Sequence, residues 1–228
     1  MGKTYIISYT RICQSLKIFV YYHMKINIII ACHDGDEKHV VHLVNLINTY
    51  KKIQPQICLV YSGTDSKFPC SMRVKAQPNA LELSMILAGL KYFKTVNSQE
   101  KKFLKLSCYV WPLDENKIIS IFDKLDELKK PYAGNYWHNN LKGSLSTDFF
   151  CLDLSFGNIF ENVTKVVNDS EVTLWHLLKN KGKNPYIIPE RDPVLWNNFY
   201  TCDSLKITAH KDLDLNLKVT QAFNDCPA

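Results

Sequence analysis

The run Ile-Asn-Ile-Ile-Ile-Ala-Cys at residues 26–32 constrains this chain more than any other stretch. A short, almost continuous apolar run is apolar on both faces, so a strand made of it must be covered on both sides. That is the mark of a strand buried in a parallel sheet. His33, Asp34, Gly35 and Asp36 then read as a turn. Asp36 is placed to cap a helix, and Glu37 falls in the first turn, where negative charge is favourable. Val40, Leu43, Val44 and Ile47 recur at helical spacing, and this helix ends near Lys51 and Lys52, with Pro55 beyond. Residues 56–61 form a second apolar strand, closed by Ser62 and Gly63. Strand, helix and strand in about 35 residues make a βαβ unit with a right-handed crossover. The expected fold class is α/β, Rossmann-like, with a mostly parallel central sheet flanked by helices.

The rest of the chain continues the alternation. Residues 70–75 read as a short strand, and Asn79 with Glu82 as a variant capping box. Leu83, Ile86, Leu87, Leu90 and Phe93 give the next helix one apolar face. After a polar loop at 97–102 comes a strand at 103–110, with Phe103, Lys105 and Ser107 on one side and Leu104, Leu106 and Cys108 on the other. It runs out into an aromatic corner at Trp111. Ile118, Ile121, Phe122 and Leu125 predict a helix opening near Asp114. Strands are expected at 132–137, 149–154 and 186–188, and a helix at 171–180. The last 30 or so residues are poorly patterned.

Charge and cysteine usage narrow the function. Lys and Arg number 28 against 22 Asp and Glu, and the net charge of +6 favours an anionic ligand or surface. No Lys/Arg block exceeds two residues, so a basic nucleic-acid arm has no support. None of the eight cysteines forms a C-x-x-C pair, and Cys32, Cys58, Cys108 and Cys151 fall in apolar runs. They read as small buried hydrophobes in a reducing compartment, which points to a cytoplasmic protein. No apolar run approaches the roughly 20 residues of a membrane span. Residues 1–23 lack a long apolar signal region and read as a peripheral N-terminal extension. P-loop, G-x-G-x-x-G, H-E-x-x-H and G-x-S-x-G motifs are all absent.

Two motifs carry a family resemblance. The turn after the second strand reads Tyr61, Ser62, Gly63, Thr64, Asp65, and the helix after it begins Asn79, Ala80 and continues to Ala88, Gly89, Leu90. This order resembles the nucleotide-binding half of GT-A-type, family-2-like glycosyltransferases, which have D-D-G-S-x-D at that turn. Those proteins carry a metal-binding D-x-D after the fourth strand, where this chain has Ser107, Cys108 and Tyr109. The resemblance implies one domain over 24–228, with a nucleotide-binding half at 24–112 and an acceptor half at 113–228. It implies transfer of a sugar from a nucleotide-diphosphate sugar to a glycan or other hydroxyl acceptor. The alternative is a catalytically inactive nucleotide- or glycan-binding module on the same fold.

Under that resemblance the chemistry assigns candidates. His33, Asp34, Ser62 and Asp65 sit at the carboxyl ends of the first two strands, the ligand edge of an open α/β sheet. Asp65 is equally a turn former beside glycine. Arg73, Lys105 and Tyr109 are candidates to meet the departing diphosphate, with Lys105 alternatively a lysine whose stem is buried. Asp148, just before a strand, and Glu171, at a helix start, are candidates for the base that activates the acceptor. Glu171 is alternatively a dipole-stabilising acid with Ser170 as the cap. Mg²⁺ or Mn²⁺ is a possible cofactor, with His210 as a late ligand. The spelling Asp34-Gly-Asp36 is explained by helix capping, and Asp212-Leu-Asp214 by a solvated tail. Weak or no dependence on a divalent metal is expected, since no carboxylate lies between 103 and 113. Trp111, Tyr136, Trp137 and His138 are candidates for a sugar-stacking surface or for core.

Overall fold

The computed structural model describes residues 23–75, 81–108, 110–112, 114–136, 144–161, 163 and 169–188. Tyr109, Trp137, His138, His210, Asp212, Asp214 and Asn79 lie outside the described residues, as do residues 1–22 of the expected extension. The chain runs β1 (Met24–His33), α1 (Glu37–Asn48), β2 (Ile53–Ser62), β3 (Met72–Arg73), α2 (Leu81–Thr95) and β4 (Lys102–Ser107). It continues through α3 (Glu115–Leu128), β5 (Tyr132–Tyr136), β6 (Leu145–Asp153), α4 (Ser170–Asn180) and β7 (Tyr186–Ile187). The strands form one sheet in the order β3-β2-β1-β4-β6-β5-β7. β1 is parallel to both β2 and β4, β2 to β3, and β5 to β7. β6 runs against both of its neighbours, β4 and β5.

The apolar run of β1 is buried on both faces, as its composition requires. Ile26, Ile28, Ile30 and Cys32 pack with Val40, Leu43 and Ile47 of α1 and with Ile118, Phe122 and Leu125 of α3. Ile29 and Ala31 face the other way, with Leu83, Ile86 and Phe93 of α2 and Leu174 and Leu178 of α4. Each fully buried side chain of this kind contributes roughly 1.5–3 kcal/mol, so the two layers hold the sheet between helices. α2 lies close on β1 because Gly89 has no side chain: a Cβ there would come 2.7, 2.8 and 2.9 Å from three side-chain atoms of Ile29. Cys32, Cys58, Cys108 and Cys151 are buried in these layers, as their apolar contexts predict.

Several boundaries differ from expectation. Pro55 lies inside β2, paired with Ile26, and does not mark the end of the preceding helix. β6 starts at Leu145, four residues early, so Asp148 is in the strand and not ahead of it. Asp36 is the first residue before α1, yet its side chain makes no cap bond. Its carboxylate turns back and accepts from the backbone N–H of His33 at 2.6 Å, tightening the turn after β1. Ser170 likewise does not cap α4: its Oγ accepts at 3.1 Å from the backbone N–H of Leu83 in the first turn of α2. One helix thereby supplies a missing acceptor to the start of another.

Candidate functional site

The sheet register brings four polar side chains to one face of one edge. On that face β1 shows Ile29 and Ala31, β2 shows Cys58 and Val60, β4 shows Phe103, and β6 shows Phe150 and Leu152. Side chains alternate along strands, so His33, Ser62, Ser107 and Asp148 point the same way. His33 is directly paired with Ser62, and Ser107 with Ala31, one side-chain step behind His33. Ser107 Oγ donates to Asp148 Oδ1 at 3.0 Å. Because β6 is reversed, its amino end meets the carboxyl ends of β1, β2 and β4. A row Ser62, His33, Ser107, Asp148 therefore crosses four adjacent strands at the edge where α2 and α4 begin.

Glu82, in the first turn of α2, closes over this row. Its Oε2 accepts from Lys105 Nζ at 2.6 Å, and its Oε1 is 3.5 Å from His33 Nε2. Lys105 is only 1% exposed, so its ammonium is balanced inside the fold by this carboxylate. Burial pushes the Glu82 carboxyl up, but Lys105 and His33 outweigh it and hold it at about 2. His33 Nδ1 lies 3.3 Å from the carbonyl oxygen of Ser62. The bond to Glu82 raises the His33 pKa above 6.5 against the opposing effect of burial. Ser62 Oγ is buried and has no hydrogen-bond partner among the described residues. At the far end of the row, Thr147 Oγ1 donates to Glu171 Oε1 at 2.9 Å.

The neighbouring turn is built by residues also expected at a ligand. Asp34 accepts from the Tyr61 hydroxyl, from Thr64 N at 2.8 Å and from Thr64 Oγ1 at 3.0 Å. The Tyr61 bond, ahead of those from Thr64, holds its carboxyl at about 2. Gly63 is needed here, since a Cβ would collide with the Tyr61 hydroxyl and the Asp34 carboxylate. Asp65 is exposed and accepts from Lys67 N at 2.8 Å, a local turn bond. Arg73 donates to the carbonyls of Asp65, Ser66 and Phe68 at 2.8, 2.9 and 2.5 Å, with its guanidinium carbon 5.1 Å from the centre of the Tyr61 ring. Its donors thus shape the 65–68 turn. Trp111 is buried, with its indole N–H on the Cys108 carbonyl at 2.8 Å.

The row thus gathers His33, Ser62, Lys105 and Asp148, with Glu171 beside it, while Asp34, Asp65 and Arg73 form the adjoining turn. Glu82 was read in the sequence only as part of a cap. A lysine on the half-apolar face of a central strand is the signal that an acid must meet it. Among the described residues, no group of three or more His, Cys, Asp or Glu side chains is arranged to hold a metal ion. Asp34, Glu82 and Asp148 are each engaged by different partners.

No family model and no curated protein matches the sequence. Among solved structures, a glycosyltransferase involved in glycosylation of the major capsid of PBCV-1 is similar over 72% of this chain and 80% of that one, at 14% identity and a TM-score of 0.48. The mannosyltransferase PcManGT from Pyrobaculum calidifontis, in complex with GDP-Man and Mn²⁺, covers 74% of this chain and 56% of its own at 6% identity and a TM-score of 0.49. A cytidylyltransferase from Leptospira borgpetersenii covers 90% and 99% at 14% identity and a TM-score of 0.48. All three lie below a TM-score of 0.5.

Proposed function

We propose that this chain is a glycosyltransferase that moves a sugar from a nucleotide-diphosphate sugar to a hydroxyl acceptor. The observation that carries the reading is the row at the strand edge, with the partly exposed His33 toward one end and an acidic end at Asp148 and Glu171. Ligands of open α/β sheets bind outside the carboxyl ends of the strands. The nucleotide would lie over the Ser62–Asp65 turn, with its diphosphate toward His33. The acceptor oxygen attacks the anomeric carbon, and the diphosphate leaves with the electron pair of the broken bond. Asp148 or Glu171 takes the acceptor's proton. Positive charge fixed near the departing group stabilises it most in a site that excludes water.

Purified protein incubated with a panel of nucleotide-diphosphate sugars and candidate acceptors, in Mn²⁺ and in chelator, tests this by release of nucleotide. Asp148→Asn and Glu171→Gln should separate the base from its neighbour, since loss of the base costs about 10²–10⁴ in rate. No release from any donor under either condition counts against the enzyme. A second reading, a binding module without turnover, is favoured by the engagement of Asp34 and Arg73 within their own turn. It predicts binding of UDP or GDP by calorimetry beside a blank turnover assay.

A further inference from the structure

We propose that His33, held as an imidazolium by Glu82 and the Ser62 carbonyl, is the cation that meets the phosphate of an anionic ligand at this edge. The contacts at both ring nitrogens favour the charged ring. Nδ1 faces a carbonyl oxygen, which only accepts, so Nδ1 carries a proton. Nε2 faces a carboxylate, favourable only if it too carries a proton.

The other candidate cations are committed. Lys105 is buried against Glu82, and the Arg73 donors serve three backbone carbonyls. With one carboxylate between two cations, His33, Glu82 and Lys105 together carry one positive charge, which the Asp36 carboxylate on the backbone N–H of His33 partly offsets. The two legs of Glu82 are unequal, at 2.6 Å to Lys105 and 3.5 Å to His33. The long leg is the weaker of the two, so a ligand oxygen can share the Nε2 proton with Glu82. The His33 side chain is 33% exposed, and the buried Ser62 hydroxyl, without a partner among the described residues, stands on the adjacent strand in direct register. Charged groups face His33 from each side: Glu82 from α2, with Lys105 of β4 behind it, and Asp36 ahead of α1, on the backbone N–H of His33. The carboxylates favour the protonated ring, in accord with its raised pKa. The inference deepens the proposed function and rests on it only for the identity of the anion. Glu82 acts here as a positioning residue.

Two measurements on the full chain test it, with inorganic pyrophosphate as the probe. Histidine ring NMR, assigned with His33→Gln, should show His33 titrating above 6.5, and Glu82→Gln should lower that titration point. Calorimetry between pH 6 and 9 should show pyrophosphate binding weakened about tenfold by His33→Gln at pH 6, as expected for one charge-assisted hydrogen bond. The difference should vanish at pH 9, and comparing the two proteins at each pH cancels the probe's own ionisation. A His33 ring titrating at or below 6.5 overturns the proposal, and through-bond assignment of the ring from the His33 backbone keeps this test available even if the variant fails to fold. So does pyrophosphate binding that is absent, or equal in both proteins at every pH. His33-dependent binding without turnover of any sugar donor upholds the proposal and removes the glycosyltransferase reading. Turnover with unchanged His33→Gln binding does the reverse.

Discussion

Lys105→Met should cost this protein stability in a way that depends on pH. The lysine is 1% exposed and its ammonium lies 2.6 Å from Glu82, whose side chain is 23% exposed. Methionine fills the space of the stem but leaves Glu82 with only the longer contact to His33. The wild-type carboxyl of Glu82 is held at about 2, against an ordinary 4.5. At 1.36 kcal/mol per pKa unit that depression is worth about 3 kcal/mol of folding stability, shared between Lys105 and His33. Breaking a buried pair by removing one partner typically costs 3–5 kcal/mol, and the partial exposure of Glu82 puts the expectation at the low end, about 2–3 kcal/mol. The folded pKa lies below the unfolded one. The stabilisation is therefore complete above about 4.5 and drains away as pH falls toward 2. Urea unfolding of both proteins at pH 7 and pH 3 measures this, and the gap should shrink to less than about half at pH 3. The double variant Glu82→Gln with Lys105→Met should recover much of the loss, since no charge is then stranded. A gap below about 1 kcal/mol at pH 7, or one unchanged at pH 3, would refute the view of the pair as buried and coupled.

Two other perturbations probe the packing that holds the site. Gly89→Ala gains about 1 kcal/mol of helix propensity but drives a methyl into Ile29, so a net loss of about 1–2 kcal/mol is expected in urea unfolding. Ser170→Ala removes the acceptor of Leu83 N and should cost about 1 kcal/mol. Hydrogen exchange should speed up in the first turn of α2 and not in α4, where Ser170 makes no cap.

The sheet and its two helical layers were legible because they depend on period and run length. The β1 run has no polar face, and α1 and α3 repeat their apolar residues at helical spacing, so burial leaves one arrangement open. The start of β6 was missed because Ser146, Thr147 and Asp148 look like loop residues, although Ser146 and Thr147 are buried. Polar side chains on the buried positions of a strand read, by pattern alone, as solvent-facing loop. The partners of Asp36, Glu82 and Ser170 were hidden for another reason. An acid or serine at a helix start satisfies its own helix or a neighbour equally well in sequence, and only the packing of α2 against α4 and β4 decides which. Arg73 illustrates the same ambiguity, since three carbonyls of a nearby turn compete with any ligand for its donors.

The reversal of β6 also dictates an order of assembly. Until β6 is made, the outer edge of β4 is unpaired, with its backbone N–H and C=O groups open to other chains. Leu145 is reached 38 residues after Ser107, once α3 and β5 have been laid down. During synthesis, a nascent chain ending within α3 therefore exposes a sticky ribbon flanked by Phe103, Leu104 and Leu106. A fragment cut after residue 112 would carry that ribbon permanently and should self-associate, whereas one extended through residue 153 would bury it. The strand that carries Asp148 is thus also the strand that covers the open edge of β4.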